Sequence, residues 1–132
     1  MNTDPISDFL IRIKNAGYAG LSSVSVPFSN MKLAIAEILK SKGFVGEIAV
    51  KGKTPATKTL SITLIYTEDG SPRVTDVKRI SKPSRRLYEK SKNIGPFQSG
   101  YGMTVLSTPK GIMADMDAKK ANVGGEILFN IW

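Results

Sequence analysis

Leu60-Ser61-Ile62-Thr63-Leu64-Ile65-Tyr66-Thr67-Glu68-Asp69-Gly70-Ser71-Pro72 is the stretch that decides the fold. Leu60, Ile62, Leu64 and Tyr66 alternate with Thr59, Ser61 and Thr63, the period of a strand with one buried face. The alternation stops at Glu68-Asp69-Gly70-Ser71-Pro72, a run of polar and turn-forming residues. A strand over residues 57–67 followed by such a break divides the chain into an N-terminal domain, 1–69, and a C-terminal domain, 70–132.

On the N-terminal side of that strand, Asp4 suits a helix N-cap and Pro5 the first helical position. Ile6, Phe9, Leu10 and Ile13 form one apolar stripe, and Gly17 and Gly20 end the helix. Val24-Ser25-Val26 reads as a short strand closed by Pro27. Ser29 caps a second helix whose buried stripe is Met31, Ala34, Ile35, Ile38 and Leu39. Gly43 stands where a helix-terminating glycine belongs, and Phe44 supplies the apolar contact that often follows one. Residues 45–51 make another strand, joined to 57–67 by a Gly/Thr/Pro turn. The order is α-β-α-β-β, two helices on a small sheet.

Beyond the break, residues 74–81 read as a strand, followed by a basic segment and a glycine-rich link over 95–102. Residues 103–107 form a strand. Asp115 caps a short helix through Met116, Ala118 and Lys119, which Asn122 and Gly124-Gly125 terminate. Residues 126–132 close the chain as a strand with Ile127, Phe129 and Ile131 on one face. The C-terminal domain is mostly antiparallel β with one short helix, and the fold class is α+β. There is no internal repeat and no low-complexity tract.

The 132 residues include 19 Lys+Arg against 11 Asp+Glu, a net charge of +8, with no Cys and no His. Apolar residues make up 41%, enough for a packed core. Without Cys or His there is no disulfide, no thiolate or His-based zinc site, and no Ser-His-Asp triad or Cys-His dyad. No apolar run approaches the roughly 18 residues that span a bilayer, so no membrane association is expected. Met1-Asn2-Thr3-Asp4-Pro5 lacks the basic-then-apolar form of a secretory signal, which points to the cytosol.

The charge is uneven. Residues 1–70 carry 8 Lys/Arg and 6 Asp/Glu, a net of +2, whereas residues 71–132 carry 11 and 5, a net of +6. Arg73, Lys78, Arg79, Lys82, Arg85, Arg86, Lys90 and Lys92 face only Asp76 and Glu89 within residues 73–92. Clustered cations attract a polyanion and release its counterions. Arg in the run can grip phosphate bidentately, and Tyr88 can stack on a base or sugar. Pro83 argues against a continuous solvent helix there.

Catalytic patterns are absent. Asp115 and Asp117, two positions apart on a helix, do not share a face and suit a cap and a first-turn charge. Gly100-Tyr101-Gly102 and Gly124-Gly125 match neither phosphate-loop spacing. No catalytic residue, metal or cofactor is expected. Ser107-Thr108-Pro109-Lys110-Gly111 places two hydroxyls, an ammonium and a glycine at a strand end. That is a composition able to contact phosphate or a base edge, and equally that of a plain turn.

Leu106-Ser107-Thr108-Pro109-Lys110-Gly111-Ile112-Met113, Asp115, Ala118-Lys119-Lys120 and Gly124-Gly125-Glu126-Ile127 together resemble the C-terminal signature of the bacterial small-ribosomal-subunit protein eight family. The first helix through Arg12-Ile13-Lys14-Asn15-Ala16, the second from Ser29 to Gly43-Phe44, and Arg79-Ile80-Ser81-Lys82-Pro83 through Tyr88 are similar to that family in order and spacing. The resemblance implies a two-domain α+β protein that binds the central domain of small-subunit rRNA on an irregular stem and helps organise the platform. It assigns RNA contacts to Ser107, Thr108, Lys110, Gly111, Gly124, Gly125 and Glu126. Further contacts are implied for Lys82, Arg85, Arg86 and Tyr88, and for Arg12, Lys14 and Lys32 in the N-terminal domain. Neighbouring small-subunit ribosomal proteins are implied partners. Apart from the resemblance, the net charge of +8 leads us to expect a monomer in isolation.

The chain departs from the family pattern at three places. Pro109 stands for a usual Ser and lacks both hydroxyl and N–H. Ser84 replaces a usual Gly. Asp117 and Lys119 replace the usual Glu and Arg, keeping charge but not the guanidinium fork. Two other functions are weighed against ribosomal rRNA binding: a free RNA-binding repressor of its own operon's translation, and an enzyme handling phosphate with Lys110 and the Asp115/Asp117 pair. Glu126 is unexpected beside RNA, since it should repel phosphate. It either accepts a hydrogen bond from a base or holds the Ser/Thr loop, unless it simply starts the last strand.

Overall fold

The computed structural model describes residues 4–54, 56–95, 97 and 102–132. Within the glycine-rich link, Gly100 and Tyr101 lie outside the described residues, as do Met1–Thr3 and Pro55. The chain forms two units, Ile6–Thr75 and Met1–Pro5 with Asp76–Trp132. Their elements make an α+β protein with two antiparallel sheets.

In the first unit, α1 (Pro5–Tyr18) buries Ile6, Phe9, Leu10, Ile13 and Ala16, the stripe read from the sequence extended by one turn. The helix runs through Gly17, where a Cβ would lie 2.9 Å from Pro72 Cβ. It closes at Gly20, whose φ of 75° is open to glycine at little cost, with Leu21 N donating to Ala16 O at 3.1 Å. β1 (Ser23–Pro27) follows, then α2 (Asn30–Ser41), capped by Ser29 Oγ accepting from Lys32 N at 3.1 Å. Phe44 N donates to Leu39 O at 2.8 Å across Gly43, which has a φ of 81°.

The buried line of α2 differs from expectation. Ile35, Ala36 and Leu39 are buried, Ala34 and Ile38 are half-buried, and Met31 is 43% exposed. The 35/36/39 face turns inward, where Ala36 has no bulk beyond Cβ to hold the helix away. Met31 falls on its flank.

β2 (Val45–Lys51) and β3 (Thr59–Leu64) complete a sheet ordered β1-β3-β2. Val26–Leu60–Val50 and Val24–Ile62–Ile48 lie opposite one another across it, forming the apolar rows. The strand expected over 57–67 is shorter because turns consume both ends. The Thr57 hydroxyl meets that of Thr54 at 2.8 Å, and Thr67 N donates to Ser71 O at 2.8 Å.

The turn around Asp69 is a hydrogen-bonded clasp. Its carboxylate accepts from the Thr67 hydroxyl and, at 3.0 Å, from Ser71 N. These bonds, the Thr67 hydroxyl foremost, hold the Asp69 carboxyl below its ordinary value. A carboxyl whose value is lowered by folding contributes stability above its unfolded pKa and loses it as pH falls through the folded one.

In the second unit, β4 (Val77–Arg79), β5 (Tyr88–Glu89), β6 (Met103–Thr108), β7 (Gly111–Ala114) and β8 (Gly125–Ile131) form one sheet. Its order is β4-β8-β6-β7, with β5 also pairing β8. β4 is shorter than the strand expected over 74–81, although hydrogen bonds to β8 continue at Ile80 and Ser81 and Asp76 exchanges two with Trp132 just beyond it. An irregularity in β8 between Ile127 and Phe129 breaks the regular ladder. One face of the sheet packs Leu106 with Ile94 and Ala118, the latter from α3 (Asp115–Lys120), and with Met113, Val123 and Ile127.

Ala114, not Asp115, occupies the α3 cap position. The buried Asp115 carboxylate accepts from Thr104 N at 3.2 Å and from Met116 N at 2.7 Å, so it ties the helix start to β6.

Burial sets the expected responses to truncation. Ile35→Ala should cost about 2–5 kcal/mol and Met31→Ala within about 0.5 kcal/mol, read by urea unfolding. Asp69→Asn should flatten the loss of stability below pH 4 without moving the neutral-pH baseline by as much as a core truncation does.

Candidate nucleic-acid interface

Strand register assembles the site. Ser107 of β6 lies opposite Ile112 of β7 on one side and Glu126 of β8 on the other, and Glu126 lies opposite Tyr88 of β5. Directly opposed residues share a face, so Ile112–Ser107–Glu126–Tyr88 is one row across four strands. Tyr88 is 68% exposed at its end.

Two glycines allow β8 to enter this row. A Cβ on Gly125 would collide with the Ser107 carbonyl oxygen and lie 3.0 Å from Thr108 Cα. On Gly124 it would collide with the Glu89 carbonyl oxygen and lie 3.0 Å from Lys90 Cα. The start of β8 is therefore pressed between β6 and the chain leaving β5. The need for glycine at both positions is steric.

The Ser107–Gly111 segment divides its hydroxyls. Pro109 and Lys110 form a two-residue turn between Thr108 and Gly111, which has a φ of 111°. Thr108 Oγ1 donates to Gly111 O at 2.8 Å and accepts from Lys110 N at 3.1 Å, so this buried hydroxyl clasps the hairpin. Ser107 is half-buried on the row, and Lys110 is exposed at the tip.

The basic segment is a pinned loop. Lys82 and Arg85 exchange backbone hydrogen bonds of 2.8 and 2.9 Å around Pro83-Ser84. Ser84 is not among the described residues with positive φ, so this turn makes no demand for glycine at that position. Beneath the loop, the fully buried Ser81 Oγ accepts from Leu87 N at 2.8 Å and donates to Leu87 O at 3.1 Å. One hydroxyl therefore joins both ends of residues 82–86. Sequence reading missed Ser81, which stands among Lys78, Arg79, Ile80 and Lys82 with nothing local to mark its burial.

The charge run separates into two roles. Arg73 lies over the Phe44 ring at 4.1 Å in the first unit. Arg79 Nε donates to Asp4 Oδ2 at 3.0 Å, and its Nη1 to Leu128 O. Those two cations hold structure. Lys78, Lys82, Arg85, Arg86, Lys90 and Lys92 are exposed. Arg86 Nη1 meets Glu126 Oε1 at 3.2 Å and Oε2 at 3.4 Å, which places Glu126 in an ion pair.

The remaining candidates lie in the first unit. Arg12 Nη1 donates to Ser25 O at 3.5 Å and Lys32 Nζ to Pro27 O at 3.2 Å, so both cations reach backbone oxygens of the edge strand β1. Lys14 is half-buried on α1. No group of His, Cys, Asp and Glu able to hold a metal ion occurs among the described residues. Both oxygens of Asp115 accept from backbone N–H groups, so this carboxylate serves the start of α3.

Three substitutions test this construction by thermal and urea unfolding. Ser81→Ala leaves Leu87 N–H unpaired and should cost about 1–3 kcal/mol. Thr108→Ala should cost about 1–3 kcal/mol by opening the hairpin clasp. Gly125→Ala should cost about 1–3 kcal/mol or more, because rigid backbone stands where the methyl would go.

The family model described as Ribosomal protein S8 matches residues 4–132. Proteins named small ribosomal subunit protein uS8 are similar over nearly the whole chain. That of Chloroflexus aggregans is 46% identical over 129 residues, 98% of this chain and 97% of its own. That of Chloroflexus aurantiacus is 47% identical with the same coverage. That of Mycoplasmopsis synoviae is 45% identical over 130 residues, 98% of each chain. With the family model matching residues 4–132 and these relatives 45–47% identical over nearly the whole chain, the chain belongs to the ribosomal protein S8 family, whose members are structural proteins of the ribosome and not enzymes.

Proposed function

We propose that this chain is a structural constituent of the small ribosomal subunit that binds the central domain of small-subunit rRNA directly and helps assemble the platform. The observation that carries the reading is the Ser107–Glu126–Tyr88 row beside a basic loop pinned at Ser81. A regular A-form helix hides its base edges in a deep, narrow groove, so sequence-specific readers favour splayed bases. The row offers a hydroxyl, a carboxylate and an exposed ring to such bases. Lys82, Arg85 and Lys110 offer charge to flanking phosphates. Backbone at Gly111, Gly124 and Gly125 is assigned to the contact surface, the last two set there by their packing against β5 and β6, and Thr108 positions the hairpin.

RNA binding is assigned mainly to the C-terminal domain from residue 70 onward, with Arg12, Lys14 and Lys32 as further contacts. The protein works in the cytoplasm, on the ribosome, beside other small-subunit proteins, and is a monomer when free. Among the described residues, no helix is long and apolar enough to cross a membrane.

Footprinting on naked small-subunit rRNA tests the assignment: protection should concentrate on one irregular stem of the central domain, and uniform or absent protection refutes it. Affinity should fall with salt at a log–log slope of roughly −0.7 to −0.9 per phosphate contacted. Lys82→Ala or Arg85→Ala should weaken cognate and random RNA alike. Ser107→Ala should lower the cognate-to-random affinity ratio by roughly 5- to 150-fold, the equivalent of a hydrogen bond worth about 1–3 kcal/mol. An unchanged ratio would make Ser107 scaffold.

A further inference from the structure

Glu126 stands at the centre of a surface otherwise suited to an anion. Its side chain is only 12% exposed, whereas that of its partner Arg86 is 58% exposed. The pair is asymmetric: the guanidinium can leave at little cost, but the carboxylate cannot be left alone. A carboxylate held largely out of water strongly needs a cation or a hydrogen-bond donor. Both Glu126 oxygens are directed at one guanidinium nitrogen, Nη1, at 3.2 and 3.4 Å. The Arg86 side chain as a whole is mostly open to solvent.

From this geometry, and resting on the rRNA reading above, we infer that the Glu126–Arg86 pair is a specificity element that exchanges partners. It admits RNA offering an unpaired base amino group together with a phosphate, and it resists plain duplex. A regular duplex presents phosphate alone. For Arg86 to turn fully to that phosphate, Glu126 must lose its cation and face a like charge. An irregular stem presents a splayed base as well. An exocyclic amino group, such as adenine N6 or cytosine N4, donates to Glu126 in place of Arg86, and the released guanidinium then takes the adjoining phosphate. Ser107 and Tyr88, on either side of Glu126 in the row, bound the space that base enters. The carboxylate thus acts by penalising the wrong RNA as well as by binding the right one.

The experiment uses the full chain and two RNAs. One is the irregular rRNA stem protected in the footprint. The other is the same stem with its unpaired bases converted to Watson–Crick pairs. In Glu126→Gln the carboxylate charge is gone, so the paired stem should bind a few-fold tighter and the irregular-to-paired ratio should fall roughly tenfold. Glu126→Gln combined with Arg86→Gln restores the wild-type net charge. It should bind the paired stem within about twofold of wild type while keeping the lowered ratio. The double variant also decides the matter if the single one unfolds, because two amides can still bond to each other. A wild-type ratio retained in the charge-neutral double variant overturns the inference and leaves the rRNA reading intact. A wild-type protein that does not prefer the irregular stem overturns the rRNA reading, and the inference with it.

Discussion

The second unit depends on one steric constraint: at its start β8 has no room for a side chain on either side. Gly125 lies against the Ser107 carbonyl and Gly124 against the Glu89 carbonyl. That close approach brings β5, β6 and β8 together, and the register of those strands sets Glu126 between Ser107 and Tyr88. The hydrogen bonds from Ser81 and Ile127 to Leu87 then tie the basic loop to the same strand. The glycine pair acts through the packing it permits, and the chemistry of the site belongs to the residues it brings together.

Polar side chains do different work on the two faces of this sheet. Thr108 and Ser107 are neighbours in sequence and point to opposite sides. The Thr108 hydroxyl is occupied by Gly111 O and Lys110 N, whereas Ser107 faces the row that includes Glu126 and Tyr88. Cations divide in the same way. Arg73 and Arg79 are engaged with Phe44 and Asp4, and Lys82 and Arg85 project from a turn into solvent. A formal charge of +8 therefore overstates what a single RNA surface can use.

Much of the fold was legible because its signals are local. The stripe of α1, the Ser29 cap, the Gly43 terminus and the alternation through Leu60 and Ile62 each follow from a few consecutive residues. β5 and β7 were not legible. At two and four residues they are too short to show a period, and pairing with β8 and β6 defines them. Met31 was placed inward because helical spacing constrains a face only to within a residue or so, and packing chooses among the options. At the site, the residue types were readable but their partners were not. That Glu126 pairs with Arg86, 40 positions away in sequence, and that Ser81 holds both backbone groups of Leu87, are consequences of strand order.

Ser81 also bears on the thermodynamics of association. A solvated arginine-rich segment that orders only on meeting RNA loses backbone freedom at that moment, about 1–2 kcal/mol per residue fixed. Here the neck is clasped and the Lys82–Arg85 turn is closed before any ligand arrives. The ordering entropy is charged to folding, and encounter finds the cations already in place. Docking through such a loop should therefore leave little of the heat-capacity signature of coupled folding, and its rate should be governed by electrostatic steering.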